Sequence, residues 1–522
     1  MTIGQRPRRA NWVEGSAMRK SLHQSLHQSL HRCLHKRLLL PLFCCALAAC
    51  NFAPKYQQPS LPIADHFDTT ETANPATAHL ASEVDWQTFF ADPQLKLLIE
   101  AALEHNRDLA ASIARIEQAR AFYRIQNAAR LPQVNANAAA TRTKAPLGSI
   151  DPEFDNTDIS VQFNQYNVQA AVTSFELDFW GRVRNTSEAA RRRYLATVDA
   201  QHAFRLSLIG NVASNYYAIR SGEEGIALAQ QTLDSRRYAL EVAKMRLDAG
   251  VTSMVDYDQA AILVTQAQTQ LAELQRTTAQ QRNLLEVLIG GPLNEALPQA
   301  PPIADAAQFR ELDAGLPSAL LIDRPDIQQA EQQLRAANAD IGAARADFFP
   351  RIALTGSFGY VSPELGDLFV PAKQAWSFGA LVGMPIFDAG QRQAQLAQAR
   401  ARRDELVADY QRTVQNAFRE VSDALVARQR YKEQIAAQEQ AVQAQRQLAE
   451  TAELRYENGI SIYLEVVDAR RNQFAAEQQL IQLRATALQN GVSLYVALGG
   501  GPDEPPNVSH STSHADGVQP SN

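Results

Sequence analysis

At 522 residues the chain is long enough for several domains, and its 50 basic and 56 acidic residues leave a formal net charge of −6. Residues 1–49 hold eight of the basic residues and one of the acidic ones, so 42 against 55 remain beyond them, a formal −13. That balance argues against nucleic acid or anionic lipid as a binding partner.

The N-terminus reads as an export signal. A basic stretch with Lys20, Arg32, Lys36 and Arg37 precedes the apolar run Leu38-Leu39-Leu40-Pro41-Leu42-Phe43. This run is shorter than the roughly 20 apolar residues that span a bilayer. It ends in Leu47-Ala48-Ala49-Cys50, small residues before a cysteine that resemble the bacterial lipobox. In that reading residues 1–49 are removed and Cys50 is acylated. An ordinary signal cut near Ala49 is the alternative, and Met18 is a second candidate start. Cys33, Cys44 and Cys45 lie in the removed part, so Cys50 is left without an intramolecular disulfide partner in an oxidising compartment. Asn51, rather than Asp, follows the cysteine, which by resemblance to Gram-negative lipoprotein sorting favours the outer membrane. His23, His27, His31 and His35 fall four apart, as metal ligands on one helix face would, but they sit in the low-complexity signal. No metal site, cofactor or catalytic residue is expected from the sequence.

Residues 50–85 read as a lipid-anchored extended segment, 86–300 as a first structural repeat, 301–500 as a second, and 501–522 as a disordered tail. The repeat carries the organisation. A shift of 218 aligns Leu131-Pro132 with Phe349-Pro350, and a shift of 209 aligns Gly181 with Gly390, Gly250 with Gly459, and Gly290-Gly291 with Gly499-Gly500. No proline occurs between Pro152 and Pro292 or between Pro385 and Pro502, and these stretches are rich in Ala, Gln, Leu, Arg and Glu. Each therefore predicts a helix of up to about 68 residues, roughly 100 Å long, followed by a returning helix over Thr252–Ile289 or Ser461–Leu498. Gly222 and Gly225 could interrupt the first long helix. Their repeat partners Tyr431 and Gln434 lie in strongly helical sequence, so the helix is expected to continue. Shorter helices over about 94–130 and 317–348 open the two halves.

Between opening helix and long helix each half changes period. Ile352, Leu354, Gly356, Phe358 and Tyr360 alternate with small residues, as do Trp376, Phe378, Ala380, Val382 and Met384. Val134 to Thr143, then Tyr166, Val168, Ala170 and Val172, do the same in the first half. Hairpins over about 133–178 and 351–387 follow, with the alternation of membrane strands. Four strands cannot close a barrel, and an open edge cannot sit in lipid, so copies of the chain must pool their strands.

Several segments resemble the outer-membrane efflux proteins, the TolC-like outer membrane factors, in the lipoprotein branch of the NodT/OprM type. They are Trp86-Gln87-Thr88-Phe89-Phe90-Ala91-Asp92-Pro93-Gln94-Leu95, Asn106-Arg107-Asp108-Leu109, Arg324-Pro325-Asp326-Ile327, Phe175 to Arg182 and Pro385 to Gly390. The resemblance implies a mainly α, internally duplicated fold in a homotrimer, with a 12-stranded barrel in outer-membrane lipid and a periplasmic helical barrel. It implies passive conduction without enzymatic activity, with a periplasmic adaptor (membrane fusion) protein and an inner-membrane pump of the resistance-nodulation-division type as partners. Leu464 and Asp468 would form the periplasmic aperture. Arg246, Leu247, Gly250, Ser253, Arg455, Tyr456, Gly459 and Ser461 would form tip turns and adaptor-docking surface. Helix packing for Leu464 and a helix-start charge for Asp468 are the plainer alternatives. A duct for type I protein secretion and a non-conducting periplasmic coiled-coil lipoprotein are the rival functions.

Overall fold

The structure, a computed structural model, describes residues 51–61, 63–64, 67, 79–80, 84–147, 159–292, 302–303, 309, 312–313 and 324–501. The signal with its four histidines, Cys50 and the tail beyond residue 501 lie outside these. The described elements are β1 (His79–Leu80), α1 (Trp86–Phe89), α2 (Pro93–His105), α3 (Arg107–Ala128), β2 (Asn135–Pro146), β3 (Ser160–Glu176), α4 (Arg182–Asp248), α5 (Met254–Ile289), β4 (Leu312–Asp313), α6 (Pro325–Ala346), β5 (Arg351–Ser362), β6 (Gln374–Gly383), α7 (Gln391–Glu457) and α8 (Tyr463–Ala497). None of the described helices is long and apolar enough to cross a membrane.

One unit contains the described residues up to Tyr56 together with Tyr123–Ala190 and Ala337–Arg402. Its centre is an antiparallel sheet in the order β2-β3-β5-β6. Strands of 12, 17, 12 and 10 residues match or exceed the roughly 9–11 that a tilted membrane strand needs. On β5 and β6, Phe358 stands opposite Trp376 and Ser357 opposite Ser377. The two serine hydroxyls are 2.7 Å apart, whereas Trp376, Phe378, Val382 and Met384 are exposed. One face of this hairpin is thus polar and the other apolar, as a wall between water and lipid requires. A bulge between Val172 and Phe175 interrupts the β3–β5 register. β2 and β6 are the sheet's edges.

Each hairpin ends in a corner closed by an aspartate and a glycine. Asp178 accepts from the Val183 and Arg184 backbone N–H groups at 3.1 and 2.7 Å, capping the orphan donors at the start of α4. Asp388 does the same for Arg392 at 3.2 Å before α7. Asp388 stands two residues before Gly390, whereas Asp178 stands three before Gly181. In the tighter corner Ala389 takes a left-handed φ of 50°.

The other unit contains Gln57–Phe122, Arg191–Ala336 and the chain from Arg403 onward. The opening motif explains its core. Asp85 and Asp92 cap α1 and α2 through their side chains, Pro93 takes the first turn of α2, and Phe89 and Phe90 are left to be buried. Phe89 stacks on Tyr495 and Phe309 at 4.5 and 4.9 Å. The Tyr216 hydroxyl donates to Asp92 at 2.6 Å, and burial raises its pKa above the usual phenol range.

α4 and α7 are 67 residues each. α4 runs unbroken through Gly222 and Gly225. A Cβ at Gly222 would lie 2.2 Å from Thr278 Oγ1, so this glycine allows close approach of α5 rather than a break. The opening helix predicted over 94–130 is instead divided at Asn106. Its backbone is extended, its side chain accepts from the Leu109 N–H at 2.8 Å, and its Nδ2 donates to Leu288 O at 2.9 Å. A side chain that competes for backbone groups ends one helix and caps the next.

Candidate channel tip and anchor region

α4 and α7 terminate in the same way. Gly250 adopts φ +68° and Gly459 φ +72°. The N–H of Gly250 bonds Leu247 O at 2.9 Å, and that of Val251 bonds Arg246 O at 2.9 Å. The N–H of Gly459 bonds Tyr456 O at 3.0 Å, and that of Ile460 bonds Arg455 O at 2.8 Å. These paired bonds onto the last turn are a Schellman cap, which requires a left-handed residue and hence favours glycine. The carbonyls of Arg246, Leu247, Arg455 and Tyr456 are therefore what the turns use. Val251 and Ile460 are left exposed, as are Met254, Val255 and Ile462 on the returning side.

The two returning helices start differently. Ser253 caps α5, its hydroxyl accepting from the Asp256 N–H at 3.3 Å, and the Thr252 hydroxyl donates to the Asp256 carboxylate at 2.5 Å. In the second repeat Ile462 occupies the place of Ser253 and offers no side-chain cap. Ser461 occupies the place of Thr252, and its hydroxyl oxygen is buried without a partner. Glu465, the counterpart of Asp256, faces Arg455 at 3.8 Å. A missing cap costs about 1 kcal/mol, so the start of α8 is the weaker of the two.

Behind the turns, Ala243, Ala260, Leu263, Ala449, Ala452, Tyr463, Val466, Val467 and Ala469 form a small apolar core. Its alanines permit close helix approach. Leu464 and Asp468 lie on the other face of α8: Leu464 is 43% exposed, and the Asp468 carboxylate pairs with Arg471 at 3.0 Å. Neither belongs to that small core. The Arg246 guanidinium sits 4.8 Å from the ring centroid of Tyr456, and that ring is 5.1 Å from Tyr463. α7 and α8 are further joined by ion pairs of Arg470 with Glu453, and of Arg446 with Glu477 and Arg484 with Glu439, both at 2.6 Å.

Sequence reasoning missed Arg236. It is 8% exposed, donates to Leu263 O at 3.0 Å and lies 5.6 Å from the centre of Phe474. Desolvation lowers its pKa. The available signal was an arginine between Leu233 and Leu240 with no acid three or four positions away.

In the sheet-containing unit the chain leaves Asn51 in a fixed place. The Asn51 side-chain oxygen accepts from Asn185 Nδ2 at 2.9 Å and from the Ala53 N–H at 3.1 Å. Phe52 stacks on Phe349 at 4.5 Å, with Trp180 4.8 Å from Phe349. Arg345 donates to Phe52 O at 3.1 Å and Asn338 to Pro54 O at 2.6 Å. A Cβ at Gly342 would lie 2.8 Å from Ala53, so the glycine admits the segment against α6.

The family model described as outer membrane efflux protein matches residues 98–291 and 316–500. The chain is 41% identical over 437 residues to the solvent efflux pump outer membrane protein SrpC of Pseudomonas putida, covering 82% of this chain and 91% of SrpC. It is 38% identical over 434 residues to the cation efflux system protein CusC of Escherichia coli O157:H7, with 82% and 91% covered. The solved open state of the Neisseria gonorrhoeae MtrE outer membrane channel superposes with a TM-score of 0.78 at 36% identity, covering 86% of this chain and 98% of that one. The mainly helical, duplicated fold is that of the TolC-like outer membrane channels, and the chain belongs to the outer membrane efflux protein family.

Proposed function

We propose that the chain is the outer-membrane duct of a tripartite efflux system, a passive exit for substrates delivered by an inner-membrane pump through a periplasmic adaptor. The observation that carries this reading is a membrane-length four-stranded sheet with two edges, on a chain whose helices reach roughly 100 Å. In lipid an edge must be paired, and three copies pooling four strands make a twelve-stranded wall wide enough for a passage. The relatives are named for efflux of solvents and cations, and a duct that imposes little selectivity suits cargo so different. The wall's polar and apolar faces suit an aqueous lumen in a membrane, which a periplasmic scaffold has no use for.

The finer assignments follow from residues already described. The exposed apolar residues at the two Schellman turns, with Arg246, Leu247, Gly250, Ser253, Arg455, Tyr456, Gly459 and Ser461 around them, form the surface that receives the adaptor. Leu464 and Asp468 of three copies ring the periplasmic aperture, an apolar ring that closes by dewetting beside an acidic one that favours cations. Cys50 carries acyl chains, as its place at the end of the lipobox-like Leu47-Ala48-Ala49-Cys50 implies. The pump is of the resistance-nodulation-division type, as the lipoprotein branch implies.

Efflux in a strain lacking the chain tests the function. Deletion should raise intracellular accumulation of the pump's substrates to the level seen when the pump itself is deleted. Purified protein in a planar bilayer should conduct without an energy source. Unchanged accumulation together with a silent bilayer would contradict the reading.

A further inference from the structure

The two strand-to-helix corners share a design, but only the first is covered by its own chain. There the Leu177 N–H donates to Ile352 O at 2.8 Å, the Trp180 ring lies 4.8 Å from that of Phe349, and Trp180 Nε1 donates to Pro350 O at 2.8 Å. The end of β3 is thereby fastened to the start of β5, the strand that opens the other repeat. The second corner follows β6, an edge of the described sheet. Ile386 and Phe387 there are 96% and 88% exposed. The repeat names what would cover them. Aligned on the capping aspartates Asp178 and Asp388, Phe387 stands where Leu177 does, and Ala389 replaces the pair Phe179-Trp180. The shift of 218 takes Phe349-Pro350-Arg351-Ile352 to Leu131-Pro132-Gln133-Val134, just before β2. β2 is the sheet's other edge, and Leu131 and Val134 are exposed.

We propose that a second copy of the chain completes this corner: Phe387 stands opposite Val134 of the neighbouring copy, its N–H donating to the Val134 carbonyl. An apolar contact of the Phe387 ring with Leu131 and Val134 of that copy takes the place of the Trp180–Phe349 stack. The proposal rests on the reading that copies pool their strands. What it adds is the register of the joint, which sets Phe387 rather than Ile386 against Val134. Opposite residues of an antiparallel pair share a face, so the two side chains meet. The occupant is a second copy because the chain itself holds both halves of the contact on opposite edges of one sheet, where they cannot reach each other. Such a head-to-tail contact uses one corner and one edge of each copy and closes only as a ring. Lipid around the corner would leave the edge beside it unpaired.

The test uses full-length protein in outer membranes, with the mass of the native particle measured for every variant. Phe387→Cys combined with Val134→Cys should, on oxidation, give covalent multiples of the chain on a denaturing gel, up to three. Directly opposite residues have Cα atoms about 5.5 Å apart, within the span of a disulfide. Ile386→Cys combined with Val134→Cys is one residue out of register and should not cross-link, nor should any single cysteine variant. Separately, Phe387→Ser should speed dissociation of detergent-solubilised trimers about tenfold, through the loss of one buried aromatic ring at each joint. The Phe387 side chain is almost fully exposed in the single chain, so its removal leaves the chain's own packing intact. A trimer in which the Phe387 pair fails to cross-link overturns the proposal. Cross-linking through Ile386 in its place overturns the register. Wild-type dissociation of Phe387→Ser would put the ring in lipid and also overturn it. A native particle of one or two chains refutes the pooling of strands itself and is distinguishable from all of these.

Discussion

Arg246, in the last turn of the first long helix, lies over the ring of Tyr456, in the last turn of the second, 4.8 Å from its centroid. The two ends of the repeat are thereby joined at the tip. A cation–π contact of this kind is worth about 1 kcal/mol. Tyr456→Ala and Arg246→Ala should each speed hydrogen exchange at the amides of Gly250, Val251, Gly459 and Ile460 about fivefold. Arg246→Lys should fall between. Unaltered exchange in both alanine variants would show that the contact does not hold the tip.

The tip glycines are needed for backbone conformation, not for space. Nothing lies within 4 Å of a Cβ at Gly250 or Gly459, yet both have positive φ. Replacing either by valine should cost about 1 kcal/mol or more through the left-handed backbone alone. The Gly250→Val, Gly459→Val double variant should still assemble and insert but fail to restore efflux. Efflux at wild-type level would refute a role for these turns in receiving the adaptor.

The same positions show what could be read from sequence. Gly181, Gly250, Gly290, Gly390, Gly459, Gly499 and Gly500 all have positive φ, because the pattern of glycines bounding proline-free helical sequence is a local signal. The strands were legible through their alternation, although their pairing order was not. The break at Asn106 was not legible, because the Leu288 carbonyl that holds its side chain is 182 residues away. Nor was the purpose of Gly222, since Thr278 reaches it only after α5 folds back. At the tip, the glycines could be found from the repeat, whereas the burial of Arg236 depends on three-dimensional neighbours.

Asp468 and Leu464 should set conductance. Asp468→Ala releases Arg471 from its pair and removes the carboxylates of the proposed ring. Block of single-channel current by multivalent cations from the periplasmic side should weaken. Leu464→Ala should widen the dewetted ring and raise conductance, and the double variant should leak more than either. Wild-type currents and wild-type block in both single variants would move the aperture elsewhere, with Asp256 and Glu465 the next residues to change.

Asp199 gives the helical region a pH dependence. Burial pushes its carboxyl up to about 6, with the neighbouring His202 pulling it back. The folded state therefore prefers the protonated form. Its contribution is fully present below the ordinary carboxylate pKa and is lost as pH rises through about 6. Asp199→Asn should raise stability at neutral pH by about 1 kcal/mol, allowing for a half-buried group screened by solvent, and should flatten the decline between about pH 4 and pH 6. Thermal unfolding of the two proteins at several pH values checks this. A wild-type decline that persists in the variant would assign it to another group. Burial lowers the pKa of His202, so its contribution has the opposite sign and is lost as pH falls.

The central claim is that this chain supplies four strands to a barrel that closes only between copies. The mass of the detergent-solubilised particle, measured on protein taken from outer membranes, tests it most directly. Three chains per particle is the expected result. A stable particle of one or two chains would contradict the account, since neither four nor eight strands enclose a passage for solutes.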